Sequence, residues 1–252
     1  MGIPPGKERM FAKQIIKMKK IFLPIMAMAF ILCSGSSIAQ TADEIINKHL
    51  EARGGADKLR ALQSMIMEGS MNQGGTDVQM KFYYVNNKAT KVEFTAAGQS
   101  GYNIVTSTEG WVFNPFMGHS AAEAMPADAL KDAQSQLDMQ GPLLDYKAKG
   151  HKVEYLGKES VQGEEFYKIK LTRASGKIVT YYINKDYLVV RAVTSVMVQG
   201  SEQEVTQEYS DYRKTPEGYM VAFKRTSSTN EISFDKVEIN PKIDDAVFKP
   251  SN

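Results

Sequence analysis

The chain has 252 residues, 42% of them hydrophobic, with 31 Lys/Arg, 29 Asp/Glu and a net charge of +2, an ordinary globular composition with length for one large domain or two small ones. Six of the basic residues and one of the acidic ones fall in the first forty positions, which leaves the remainder at about −3, with no basic surface for nucleic acid or anionic membranes. The single cysteine, Cys33, excludes a disulfide framework and a Cys-based metal site.

Lys13, Lys17, Lys19 and Lys20 precede an apolar run at 21–32, and the small-residue stretch 34–40 follows. Basic, apolar, then small is the order of a secretory signal peptide, with processing after Ala39 or Gln40. The run is shorter than the roughly 20 residues of a spanning helix, and Pro24 interrupts it. Met18-Lys19-Lys20 opens a signal of ordinary length. Residues 1–17 therefore read as an over-extended start, 18–40 as the signal, and 41–252 as one exported domain. Leu32 stands where a lipobox needs a small residue, so lipid anchoring at Cys33 is not expected.

Thr41-Ala-Asp-Glu44 has the pattern of a capping box, and Ile45, Ile46, His49 and Leu50 follow at helical spacing. Gly54-Gly55 ends that helix, and 56–62 reads as a short second one. The period then changes to two. Strands are expected at 80–85, 91–95, 102–106 and 111–113, parted by Gly74-Gly75, Asn86-Asn87, Gly98 and Gly110. Residues 119–140 break the pattern with a weak helical stripe of Met125, Leu130, Ala133 and Leu137; a short helix at 143–149 is expected next. Strands resume at 153–156, 166–172, 178–183, 188–198, 205–212, 220–227 and 231–239. About eleven short antiparallel strands with one helical insertion predict a mainly β barrel or sandwich.

Little here supports catalysis. His49, His119 and His151 are scattered, without metal-ligand spacing. Residues 97–101, Ala-Gly-Gln-Ser-Gly, miss the Gly-x-Ser-x-Gly spacing of a nucleophile elbow. Glu164 and Glu165 are neighbours in a strand and point to opposite faces, so they cannot converge on one substrate. Gly54-Gly55 and Gly74-Gly75 lack a Walker lysine and read as turns. Lys147, Lys149 and Lys152 alternate with Asp145 and Glu154 as a solvated face does.

Apolar surface remains. Alternation groups Met80 with Phe82 and Tyr84, Val92 with Phe94, Tyr102 with Ile104, and Trp111 with Phe113. These side chains could simply fill a core. A curled sheet of about eleven strands, however, encloses more room than an eight-stranded barrel fills with its own side chains, so a helix, lid or ligand must occupy it. Methionines beside aromatics suit varied apolar guests.

The order of parts resembles the LolA/LolB family of periplasmic lipoprotein carriers. The resemblance rests on the N-terminal helix, Glu109-Gly-Trp-Val-Phe-Asn-Pro-Phe116, the helical insertion, and the tail in which 232–241 leads to Ile243-Asp-Asp-Ala-Val-Phe-Lys-Pro250. It covers most of 41–252. It implies an incomplete antiparallel β-barrel closed by a helical lid, with a cavity for lipid or lipoprotein acyl chains. An inner-membrane transporter and an outer-membrane acceptor would be its candidate partners, and neither cofactor nor metal would be needed. On that model Trp111, Phe113, Phe116 and Met117, with Phe82, Tyr84, Phe94, Tyr102 and Ile104, line the cavity, and Met125, Leu130 and Leu137 belong to the lid. Carriers of the true LolA type have an Arg-Pro pair before Phe-x-Trp; here 87–94 read Asn-Lys-Ala-Thr-Lys-Val-Glu-Phe, so the arginine's lid-engaging role does not carry over to Lys88. The expected protein is a monomeric, non-enzymatic carrier. The other reading is a sensor or scaffold of the same shape acting through a protein partner.

Overall fold

The computed structural model describes residues 41–198 and 201–251; the start and signal segments expected at 1–17 and 18–40 lie outside the described residues. Helix α1 (Ala42–Ala52) begins at the expected capping box. The Glu44 amide donates to Thr41 Oγ1 (3.2 Å) and the Thr41 amide to Glu44 Oε2 (3.1 Å), which satisfies two amides left free at a helix start. Its buried stripe is Ile45, Ile46, His49 and Leu50, each aliphatic member contributing about 1.5–3 kcal/mol by leaving water. Gly54 turns the chain at φ +118°, where an added Cβ would stand 2.7 Å from the Gly218 carbonyl oxygen. The short α2 (Ala56–Arg60) follows.

The strands are β1 (Ser64–Gln73), β2 (Thr76–Val85), β3 (Ala89–Ala96), β4 (Gln99–Thr106), β5 (Gly110–Phe113), β6 (Glu123–Ala124), β7 (Lys152–Val161), β8 (Glu164–Thr172), β9 (Ile178–Ile183), β10 (Val189–Val198), β11 (Ser201–Lys214), β12 (Met220–Ser227) and β13 (Glu231–Ile239). They form one antiparallel sheet in the order β6-β5-β4-β3-β2-β1-β13-β12-β11-β10-β9-β8-β7. The edges β6 and β7 do not pair, so the barrel is incomplete, and it holds thirteen strands where about eleven were expected. The two additions are β1, whose Met, Gly and Ser residues are weak strand formers, and the two-residue β6, which pairs with β5. The insertion contains α3 (Ala127–Gln134). The helix expected at 143–149 is instead a run of turns, with Asp145 at φ +50°, a conformation that no α-helix contains.

Residues opposed across antiparallel strands share a face, so the registers sort every side chain. One face carries Met65, Met67, Phe82, Tyr84, Phe234, Tyr209, Tyr181 and Ile169 and is covered by α1 and the 139–146 segment. It is termed the helix face. The opposite, tail face carries Ala89, Tyr102 and Ile104 beneath the C-terminal 3-10 turn Asp245–Phe248. The Tyr102 hydroxyl donates to the Ser251 carbonyl (2.7 Å) and accepts from the Ser251 amide (2.9 Å), tying the tail down.

Candidate ligand cavity

On the helix face a cavity of about 340 Å³ opens between α1, residues 136–144 and the sheet. Its walls include Met65, Tyr84, Tyr181, Val189, Tyr209, Arg225 and Ile239, drawn from strands between β2 and β9 in the sheet order. Seven adjacent strands about 4.8 Å apart would span about 29 Å if flat. They can meet around one small void only because the sheet curls about it. The volume lies at the low end of the roughly 300–1,000 Å³ typical of small-molecule sites.

Next to the cavity runs an apolar wall. Met65, Met67, Val78, Met80, Phe82, Ala96 and Phe234 are buried together, with Met71, Tyr84, Val92, Phe94 and Met139 packed against them. Phe82 stacks on Tyr84 (6.2 Å) and meets Phe234 edge-on (5.3 Å). Met65, Tyr84, Met139, Val221 and Ile239 belong to both wall and cavity lining, so the two are continuous.

The cavity also has charged and polar walls. Arg53, which caps the C-terminus of α1, sends Nη1 to the Gln140 carbonyl at 3.3 Å. Arg225 on β12 reaches the Tyr84 hydroxyl and Met67 Sδ, both at 3.4 Å, and stands 5.0 Å over the Phe234 ring. Both arginines keep part of their accessible surface although protein surrounds each guanidinium, and both line the cavity. Burial pushes the Tyr181 and Tyr212 hydroxyls up to about 12, so both are neutral. Burial, helped by the charge of Arg53, pulls His49 down to about 4; its Nδ1 donates to the Tyr187 carbonyl at 2.8 Å. The lining carboxylate Asp138 is held by Lys149 Nζ at 2.7 Å.

The sheet divides the residues expected to share one cavity. Phe82, Tyr84 and Phe94 are on the helix face, but Phe94 opposes Gly101, so Tyr102 and Ile104 point the other way. Trp111 opposes Ile104 and Phe113 opposes Tyr102, which places both on the tail face. Trp111 and Phe113 pack against the cluster of Ala89, Tyr102, Ile104 and the tail residue Phe248. Phe116 leans on Phe94 (6.3 Å) at 49% exposure, and Met117 is 77% exposed. Of the nine, Tyr84 alone lines the cavity. Among the lid residues, Met125 and Leu130 sit over Gly110 and Leu137 is buried, while the neighbouring 136–144 segment roofs the cavity itself. The methionines of β1 and the two arginines went unnoticed in the sequence. Gly74-Gly75 carried a signal for the methionines, since a two-residue turn there sets Met67 opposite Phe82.

Among the described residues no helix is long and apolar enough to cross a membrane, and no group of three His, Cys, Asp or Glu could hold a metal. No family model and no curated protein matches the chain in sequence. In structure it is similar to a LolA superfamily protein from Nitrosomonas europaea, at TM-score 0.54 and 16% identity over 84% of this chain and 98% of the other. It is likewise similar to a DUF1329 family protein from Desulfovibrio piger, at TM-score 0.56 and 15% identity over the same shares. The fold is thus the LolA-type antiparallel sheet that the sequence resemblance implied.

Proposed function

We propose that residues 41–252 act as one periplasmic domain, a non-enzymatic carrier that binds lipid or lipoprotein acyl chains on the helix face. The observation that carries this reading is the continuous wall of methionine and aromatic side chains leading into a cavity roofed by α1 and the insertion. An acyl chain gains about 0.8 kcal/mol for each methylene it removes from water, and this wall, packed on itself, becomes a dry surface for it on repacking. Unbranched methionines repack around guests of different length. The LolA-type fold supports the reading, and the resemblance in sequence implies the same ligand class. The proposed ligand set is Met65, Met67, Met80, Phe82, Tyr84 and Phe94, with Phe116 at the rim. Trp111, Phe113, Tyr102 and Ile104 are assigned to the packing of the opposite face.

Native mass spectrometry of the exported protein should find co-purifying lipid, and an uncharged acyl probe should bind and be displaced by long-chain lipids. Absence of both bound lipid and probe binding would remove the carrier reading in favour of a scaffold acting through a protein partner.

A further inference from the structure

Two positive charges face the cavity without a carboxylate of their own. Among the described residues neither Arg53 nor Arg225 forms an ion pair. A guanidinium carries five N–H donors. The partners of Arg225 are a neutral hydroxyl and a sulfur, both at 3.4 Å, and the Phe234 ring at 5.0 Å; none is an anion, and its buried Nε has no hydrogen-bond partner. Arg53 spends one donor on a carbonyl at 3.3 Å. The carboxylate in the lining, Asp138, lies within electrostatic reach of Arg53 but outside ion-pair distance, and its Oδ2 is held by Lys149 at 2.7 Å. His49 is neutral near pH 7, so the cavity and its immediate supports hold two net positive charges. Both arginines line the one cavity, Arg53 from the end of α1 and Arg225 from β12, together with Tyr209 and Tyr212.

Burying a cation without an anion is costly, and the cost is recovered when a charged acceptor completes its hydrogen bonds. Arginine's planar fork matches carboxylate and phosphate oxygens in particular. The more exposed Arg60, Arg191 and Arg213 each have an acid within 2.8 Å, whereas these two do not.

We propose that Arg53 and Arg225 form an oxyanion site in this cavity that receives the carboxylate or phosphate head of an acidic amphiphile. The tail then lies along the methionine wall, a placement that rests on the acyl-chain reading above; the head site does not depend on it.

The test is displacement of the uncharged probe N-phenyl-1-naphthylamine from the full exported chain by decanoate, decyl phosphate and decanol. The two acids should displace it at concentrations at least about tenfold lower than the alcohol, the yield of one charge-assisted hydrogen bond. Preference between the acids separates a fatty carboxylate from a lipid phosphate. Arg225→Met should weaken both acids about tenfold to a hundredfold and leave decanol unchanged. Its melting temperature should hold or rise, because an unpaired buried charge is replaced by an apolar chain of similar length. Equal displacement by decanol and the acids in the unmodified protein overturns the proposal, and that comparison needs no variant. So does an Arg225→Met protein that loses all three ligands alike. If butyrate binds as well as decanoate, the oxyanion site stands and the acyl-chain reading falls; if no ligand binds, both fall.

Discussion

Phe248→Ala tests the division of the sheet into two independent faces. Phe248 is 5% exposed and packs with Ala89, Tyr102 and Ile104, with Trp111, Ile243 and Val247 around it. Truncating a buried phenylalanine costs about 3–5 kcal/mol. The lower end applies here, because the short 3-10 turn that carries Phe248 can settle into the space left behind. The tail's other ties include the packing of Ile243 and Val247, the Tyr102–Ser251 hydrogen bonds and an exposed Lys88–Asp245 ion pair at 2.7 Å, the last worth little. A loss of about 3 kcal/mol lowers the melting temperature of a domain this size by about 6–12 °C. Trp111 is the chain's only tryptophan, so its emission reports this face alone. In the variant it should move to the red as the tail loosens, while affinity for an uncharged acyl probe stays unchanged. The reasoning fails if Trp111 emission ignores the loss of Phe248 yet shifts when an acyl ligand binds, since that would put Trp111 in the ligand cavity after all.

Gly69→Ala should destabilise by about 3 kcal/mol in urea unfolding, as overpacking against fixed atoms does. Its Cβ would stand 2.1 Å from the Ser233 carbonyl oxygen and 2.7 Å from Phe234 Cα, both backbone. Gly74→Asn is the control, at φ +60° with nothing within 4 Å, and should cost far less. His49 gives a pH dependence whose sign follows from its depressed value. From 6.5 down to about 4 the unfolded chain takes up a proton that the folded chain refuses, so stability is fully present above 6.5 and is lost as pH falls through that window. The loss is about 3 kcal/mol. Thermal melts from pH 7 to 4 should show it, and His49→Asn, which keeps a donor near the Nδ1 position, should flatten the profile.

How far the sequence could be read varied by element. The capping box at Thr41 and Glu44 and the apolar stripe through Leu50 appear as their spacing predicts. Strand β1 escaped because its alternation runs through Met65, Met67, Gly69 and Met71, a period of two written in residues that do not favour strands. Phe94 and Tyr102, both expected to line one cavity, stand on opposite faces of the sheet, and the register gives the reason. The two-residue turn Ala97-Gly98 sets Ala96 opposite Gln99, hence Phe94 opposite Gly101, and leaves Tyr102 on the other face. The arginines offered no comparable signal: Arg53 reads as a helix end, and Arg225 as a solvated position among Lys224 and Thr226.

What lay in the sequence alone was local: where helices cap, where strands alternate and where turns interrupt them, because each depends on neighbours a few positions apart. Alternation also divides every strand into two faces. It cannot say which face will be covered by α1 and which by the tail. That was decided by the pairing of β1 with β13, which joins Met67 to Val237 and completes the sheet around one cavity. The same pairing brings Arg225 to Met67 and Tyr84, residues more than 140 positions away. A guanidinium is soluble surface in an isolated strand and a buried charge only once distant strands enclose it, so the cavity's chemistry came into being with the tertiary structure.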